Sequence, residues 1–404
     1  MVLKIAWRNI WRNKRRSLVV IVAIALGIWS IIFITGFADG MYKTMIDNAI
    51  ENQYSHIQVH HPEYKVDREL KYTIPEFDQL TRVLDTMSTV KAYSSRVINQ
   101  GMIASPKSAQ GIQIIGINRE QEDRVSKIKS KIVEGSLFET KKKTPIVISK
   151  ALAELLNVKL KSKVVLTMQD KEGNITQVAF KIVGLFETNN AIFDEAFVFA
   201  RANDLIRECE LDTAYHELAI YLNNPDDVNA TTAQLAKMNP NALVEDWRKI
   251  APELELIESA SGINLFIVSI IIMVALLFSI INTMLMAVLE RYKELGVLMA
   301  IGLNKLKVFY MIVLETIMLS LVGGPLGLLI GYLTIEYFQV YGIDFSRFSE
   351  GLREFGVNAV IRPIVQSEEY FILAGIVIIT AIIGAIYPAI KAIRLKPVEA
   401  IRKI

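Results

Sequence analysis

The chain has 404 residues, 52% hydrophobic and 22% charged, and its 45 Lys and Arg nearly balance 42 Asp and Glu to leave a formal net charge of +3. So even a balance excludes the basic surplus that a nucleic-acid partner demands. A single cysteine, Cys209, excludes an internal disulfide and reads as a small buried hydrophobe.

The first sixteen residues carry Lys4, Arg8, Arg12, Lys14, Arg15 and Arg16 and no acid. Trp7, Ile10 and Trp11 fall at helical spacing with Arg8, Arg12 and Arg15 on another face, the pattern of a helix lying in a membrane interface and turning at Asn13 into the first span. A targeting segment is the weaker reading. A hydrocarbon core of roughly 30 Å takes about 20 apolar residues of helix. Four runs reach that length, 18–37, 263–289, 308–335 and 370–390, and none has a Lys or Arg inside. A buried core helix would be shorter with a polar stripe, and a cleavable signal would have an apolar core of about 7–15 residues, so the first run is expected to be an uncleaved anchor.

Between the first two spans lies a long water-soluble stretch. Helical spacing of Phe37, Met41, Met45 and Ala49 extends the first helix as a stalk. Ser55-His56-Ile57-Gln58-Val59-His60 alternates with period two, which predicts a half-buried strand with His56 and His60 on its wet face. With His61 these could suggest a metal, but no acid or cysteine is in register, so no metal site is assigned. Alternating regions follow at 90–105 and 112–117. Strands are then predicted at 146–148, 163–168, 177–186, 197–199 and 217–222, with Ser149 capping a helix over 150–156, a turn at 171–174, a helix over 203–207 and a break at Asn239-Pro240. The loop Glu187, Thr188, Asn189, Asn190, Ala191, Ile192 is a candidate partner-binding loop, against the plain reading of a connecting loop. No phosphate loop, His-Glu-x-x-His or Gly-x-Ser-x-Gly occurs, so no catalytic residue is assigned.

The loop between spans two and three contains Glu290, Arg291, Lys293, Glu294, Leu295, Gly296, Leu298, Met299, Ala300 and Gly302. Acids at its start and Lys305 and Lys307 beyond its end suit a helix dipole, and Gly302 is placed to terminate the helix. Leu295, Leu298 and Met299 share a face too apolar for water, with Gly296 and Ala300 allowing close approach, so a protein partner is expected there, with an interfacial helix on lipid as the alternative. In span three Gly323, Gly327 and Gly331 recur every fourth residue beside Pro325, and in span four Ala381, Ala385 and Ala389 do so beside Pro388. Small residues let membrane helices approach, so these two spans are expected to pack closely, each kinked at its proline. Polar residues within spans are few, Asn264, Asn282, Thr283 and Glu315, and Glu315 is read as pairing with a basic residue or a neighbouring helix.

Lys and Arg crowd the first sixteen residues, the 290–307 loop and the tail with Lys391, Arg394, Lys396, Arg402 and Lys403, which places all three in the cytoplasm. The expected fold is an α-helical membrane protein with four transmembrane helices and a large α+β extracytoplasmic domain inserted between helices 1 and 2. Its parts are a cytoplasmic amphipathic segment (1–16), helix 1 (17–37), the extracytoplasmic domain with its stalk (38–261), helix 2 (262–289), the cytoplasmic loop (290–307), helix 3 (308–335), an outer loop (336–369), helix 4 (370–390) and a cytoplasmic tail (391–404).

The stretch Arg291-x-x-Glu294-Leu295-Gly296-x-Leu298-x-Ala300-x-Gly302, the glycine-rich third span and the ending Pro388-Ala389-x-x-Ala392-x-Arg394-Leu395-x-Pro397-Val398-Glu399-Ala400 together resemble the permeases of the FtsX/MacB superfamily of ABC transporters. The layout is most similar to the lipoprotein-releasing LolC/LolE type, along the whole chain. Lys161-Ser162 departs from the Gly-Asp usual in the family at that turn. MacB-type chains carry an N-terminal ATPase domain where this one has sixteen residues, and FtsX-type chains have a smaller outer domain. The resemblance implies that residues 290–302 form a coupling helix docking on a separate cytoplasmic ABC ATPase dimer, which binds ATP and Mg, while this chain holds no cofactor. It further implies a second permease copy or paralogue, contact with membrane lipid, a periplasmic lipoprotein chaperone as a partner, and residence in the inner membrane. MacB- or FtsX-like mechanotransmission to a periplasmic partner is the alternative function.

Overall fold

A computed structural model describes residues 7–8, 10–140, 143–211 and 215–394. Lys4 and the ending from Leu395 onward lie outside the described residues, as does the side chain of Asn264. The chain divides into two compact units. One gathers Met1–Tyr42, Ser259–Asp344 and Val360–Ile404, and the other Lys43–Glu258 with Phe345–Ala359.

Among the described residues, four helices that make up most of the first unit are long and apolar enough to cross a membrane: α1 (Lys14–Ala49), α2 (Pro252–Glu290), α4 (Lys305–Tyr341) and α5 (Ser367–Ile393), with the short α3 (Tyr292–Ala300) between α2 and α4. Each overruns its apolar run. α1 continues through Met41 and Met45 as its spacing predicts, and ends in a π-turn, Ile50–Tyr54. Their shared core joins Ile24, Ile28 and Ile32 of α1, Ile280 and Met284 of α2, Val308, Met311 and Ile312 of α4, and Val377 and Ala381 of α5. Spans three and four do pack together, and Ala381, Ala385 and Ala389 are fully buried. The glycines of α4, however, serve a different contact from the one their sequence suggests. A Cβ at Gly323 would sit 2.9 Å from the Ile21 carbonyl oxygen, one at Gly327 2.7 Å from that of Ala25, and one at Gly331 2.8 Å from Ile32 Cδ1, so all three bring α1 against α4. Gly384 of α5 faces Ile280 of α2. Small-residue spacing marks a groove without naming the helix that fills it.

The second unit is α+β. Its ten-stranded mixed sheet runs β10-β1-β9-β2-β3-β8-β5-β7-β4, with β6 bridging β2 and β7. The strands are β1 (Ile57–His60), β2 (Val90–Ala104), β3 (Ala109–Ile117), β4 (Ile132–Gly135), β5 (Pro145–Ser149), β6 (Lys163–Gln169), β7 (Ile175–Phe186), β8 (Phe197–Arg201), β9 (Glu217–Leu222) and β10 (Leu243–Asp246). The expected strands and the Ser149 cap, which accepts from the Leu152 N–H at 2.9 Å, are present. Around β1 the sequence reading needs correction. All four β1 residues are buried, because β1 lies between β9 and β10 and both its faces are covered. Ile57 and Val59 join Leu80, Leu84, Leu235 and Trp247 in one core. On the other face His60 stacks on Tyr64 at 4.7 Å with Nδ1 3.0 Å from the His216 carbonyl, and His56 Nδ1 accepts from the Leu222 N–H at 2.9 Å. Burial pushes the His56 imidazole down to about 4, so the ring stays neutral as a core group.

Candidate functional site

The residues around α3 are shaped by two breaks. At Arg291 the backbone leaves helical geometry (φ −98°, ψ 17°), and at Gly302 φ is +100°, the left-handed region that favours glycine, with its N–H on the Met299 carbonyl at 3.2 Å. Asn304 then caps α4, its side chain accepting from the Leu306 N–H at 3.1 Å. Glu290 closes α2, and Arg291 stands at the joint.

The apolar face of α3 lies elsewhere than its composition suggests. Leu295 is 2% exposed, and Met299 packs with it on the core of the membrane helices, so this face covers the chain's own helices instead of waiting for a partner. Gly296 is buried and Leu298 half-buried, while Lys293, Glu294 and Ala300 stay open to solvent, with Val297 44% and Ile301 79% exposed. The acids are engaged. Arg12 pairs with Glu294 at 2.5 Å, Arg16 with Glu290 at 2.9 Å, and Arg291 with both Glu294 at 3.4 Å and Glu315 at 3.1 Å. The hydrogen bond from Arg12 holds the Glu294 carboxyl below the usual range. Glu315 thus has the basic partner expected of it.

The 187–192 loop sits in the second unit and bonds to its own chain. Thr188 is buried and donates to Asp194 Oδ1 at 2.6 Å, and Asn190 caps the helix Ala191–Ala196 by accepting from the Phe193 N–H at 3.0 Å. Asn189 donates to Asn358 at 2.5 Å, and Glu187 pairs with Arg353 at 2.6 Å. Ala191 is half-buried, and Ile192 is 69% exposed. Arg353 also reaches Asp194 at 3.0 Å, while burial raises that carboxyl to about 6 against the pull of Thr188 and Arg353. Arg353 belongs to the short helix Ser349–Glu354, inside what reads from sequence as a plain outer loop. Its only local signal is an arginine in a short polar helical stretch.

A second cluster also escapes sequence reading. Arg96 on β2 is 2% exposed and pairs with Glu122 at 2.6 Å and Glu217 at 2.7 Å, its Nη1 also donating to the Gln53 carbonyl at 3.0 Å. It borders a cavity of about 300 Å³ with Tyr64, Arg68 and Gln113 on its wall. With every Arg96 nitrogen engaged, the arrangement is one of a fastened core charge.

Among the described residues, four apolar helices, a short bracketed helix between the second and third, and an α+β unit of mixed sheet define the architecture of a multi-pass membrane protein. A family model described as FtsX-like permease C-terminal matches residues 266–397, and one described as MacB-like periplasmic core domain matches residues 17–238. The chain belongs to the FtsX/MacB family of ABC transporter permeases, as the resemblance of its 291–302 motif suggests. It is 24% identical to the lipoprotein-releasing system transmembrane protein LolC of Neisseria meningitidis serogroup B, over 96% of this chain and 94% of that protein. The macrolide export ATP-binding/permease protein MacB of Hahella chejuensis is 24% identical over 46% of this chain and 27% of that protein. Among solved structures, the periplasmic region of MacB from Actinobacillus actinomycetemcomitans is similar with a TM-score of 0.36 at 10% identity, covering 52% of this chain and 97% of that one.

Proposed function

We propose that this chain is the permease subunit of an ATP-driven complex that extracts lipoproteins, or similar lipid-anchored cargo, from the inner membrane. The observation that carries this reading is the end-to-end similarity to LolC, over 96% of this chain, where the MacB relative aligns with 46%. In this reading both termini and α3 face the cytoplasm, and the α+β unit is extracytoplasmic, inserted between helices 1 and 2. A separate ATPase dimer binds ATP and Mg, and this chain has neither cofactor nor ATPase activity. α3 docks on that dimer through its open face, Lys293, Glu294, Val297 and Ile301, and passes the motion to α2 and α4. A second permease copy or paralogue completes the complex, and a periplasmic chaperone receives the cargo.

Release of a labelled lipoprotein from spheroplasts tests the reading. Val297→Arg with Ile301→Asp alters only exposed positions, so insertion and folding should persist while ATP-dependent release falls at least about tenfold, the scale of one lost docking contact of about 1.4 kcal/mol. Undiminished release would sink it. A second reading, mechanotransmission to a periplasmic efflux or hydrolase partner, is favoured by the MacB-like core match over residues 17–238. It predicts intact lipoprotein release on depletion of this chain.

A further inference from the structure

Four charged residues at one end of the first unit form a continuous line. Arg12 donates to both oxygens of Glu294, at 2.7 and 2.5 Å, Arg291 Nε lies 3.4 Å from Glu294 Oε2, and Arg291 Nη1 reaches Glu315 Oε2 at 3.1 Å. The line runs through the segment before α1, the joint between α2 and α3, α3 itself, and α4. It also runs from water into the apolar core. The side chains of Arg12 and Glu294 are 52% and 50% exposed, those of Arg291 and Glu315 10% and 5%. A carboxylate in such surroundings needs a cation beside it, and Arg291 supplies one, while Arg16 is paired with Glu290.

The backbone gives α3 two places to swing, since helical geometry is lost at Arg291 and at Gly302. Apolar packing through Leu295 holds the helix down but is non-directional. Charge-assisted hydrogen bonds are directional, and a guanidinium shared between two carboxylates on different helices fixes an orientation. We infer that Glu315 is a positioning residue. Through Arg291 it sets the orientation of α3 on α4, and Arg12 closes the line from the N-terminal segment, so that α3 moves with α1 and α4 and does not pivot on its joints. The use of this rigidity rests on the docking role proposed above; the rigidity itself does not.

Hydrogen exchange on the full-length chain in lipid nanodiscs tests the inference. Glu315→Gln keeps the shape of the side chain and removes its charge, and the amides of Tyr292–Ala300 should then exchange about tenfold faster, with β5 and β7 unchanged. Arg12→Gln should give a smaller rise, its pair being solvated. Joining Arg291→Glu to Glu315→Arg should bring exchange back toward wild type, which a role in packing alone would not produce. Wild-type exchange of α3 in Glu315→Gln overturns the inference. If that variant does not insert, unchanged exchange in both Arg12→Gln and Glu294→Gln overturns it. The same variants are then assayed for ATP-driven release. A loosened α3 with undiminished release upholds the positioning role and removes the docking role, so the two failures are told apart.

Discussion

At Lys161 the chain keeps a backbone shape whose usual residue it lacks. The family resemblance places Gly-Asp where this sequence has Lys161-Ser162, and the turn nevertheless holds φ +73° at Lys161, with its N–H on the Ile182 carbonyl at 3.0 Å. Ser162 takes over the polar role, its hydroxyl accepting from the Lys159 N–H at 3.2 Å. The left-handed region costs a residue with a Cβ roughly 1–2 kcal/mol, and glycine's larger unfolded-state entropy returns about 0.5–1 kcal/mol of that. Lys161→Gly should therefore stabilise the second unit by about 0.5–1 kcal/mol. A thermal melt of the purified chain, followed through the sheet, checks the sign. A lowered midpoint would mean that the Lys161 side chain makes a compensating interaction.

At the scale of elements, periodicity located most of the helices and strands and left their neighbours open. The strand at Glu217–Leu222, the cap at Ser149 and the stop at Gly302 are written in local patterns. That His56 and His60 are buried is not, because alternation tells two faces apart without saying that a second layer covers the polar one. Arg353 and its carboxylates are separated by about 160 residues, a pairing no local pattern encodes. The α4 glycines are the intermediate case, a legible groove with an illegible occupant. Their contacts give a graded expectation. Gly327 has the Ala25 carbonyl 2.7 Å from any added Cβ, whereas at Gly324 the nearest atom, Ile28 Cδ1, is 4.0 Å away. Gly327→Leu should separate α1 from α4 and cost on the order of 2 kcal/mol or more, while Gly324→Ala should be within about 0.5 kcal/mol of wild type. Resistance to denaturation by SDS in mixed micelles ranks the two, and equal loss in both would reject the α1–α4 contact.

For the whole molecule, the contacts constrain how the chain threads the membrane before any charge is counted. Arg353 lies in the stretch between α4 and α5 yet pairs with Glu187 and Asp194 of the sheet unit, so both stretches belong on one side. In the proposed threading two spans, α2 and α4, separate them, which returns the chain to that side and leaves α3 on the other. Arg12, ahead of α1, and Arg16, in its first turn, pair with Glu294 and Glu290, which puts the N-terminal end of α1 with α3. An odd number of spans across residues 43–258, or an even number across 301–345, would break these pairs. In the proposed reading, the Lys and Arg surplus beside α3 puts its side in the cytoplasm. Cysteine labelling can test this cleanly, because Cys209 is fully buried with its thiol pushed up to about 11, and so gives a silent background. Asn174→Cys in the exposed turn before β7 and Glu350→Cys should react with an impermeant maleimide in spheroplasts, and Lys293→Cys on α3 only after the membrane is opened. Labelling of Lys293→Cys in sealed spheroplasts, or protection of Glu350→Cys alongside a reactive Asn174→Cys, would refute this threading.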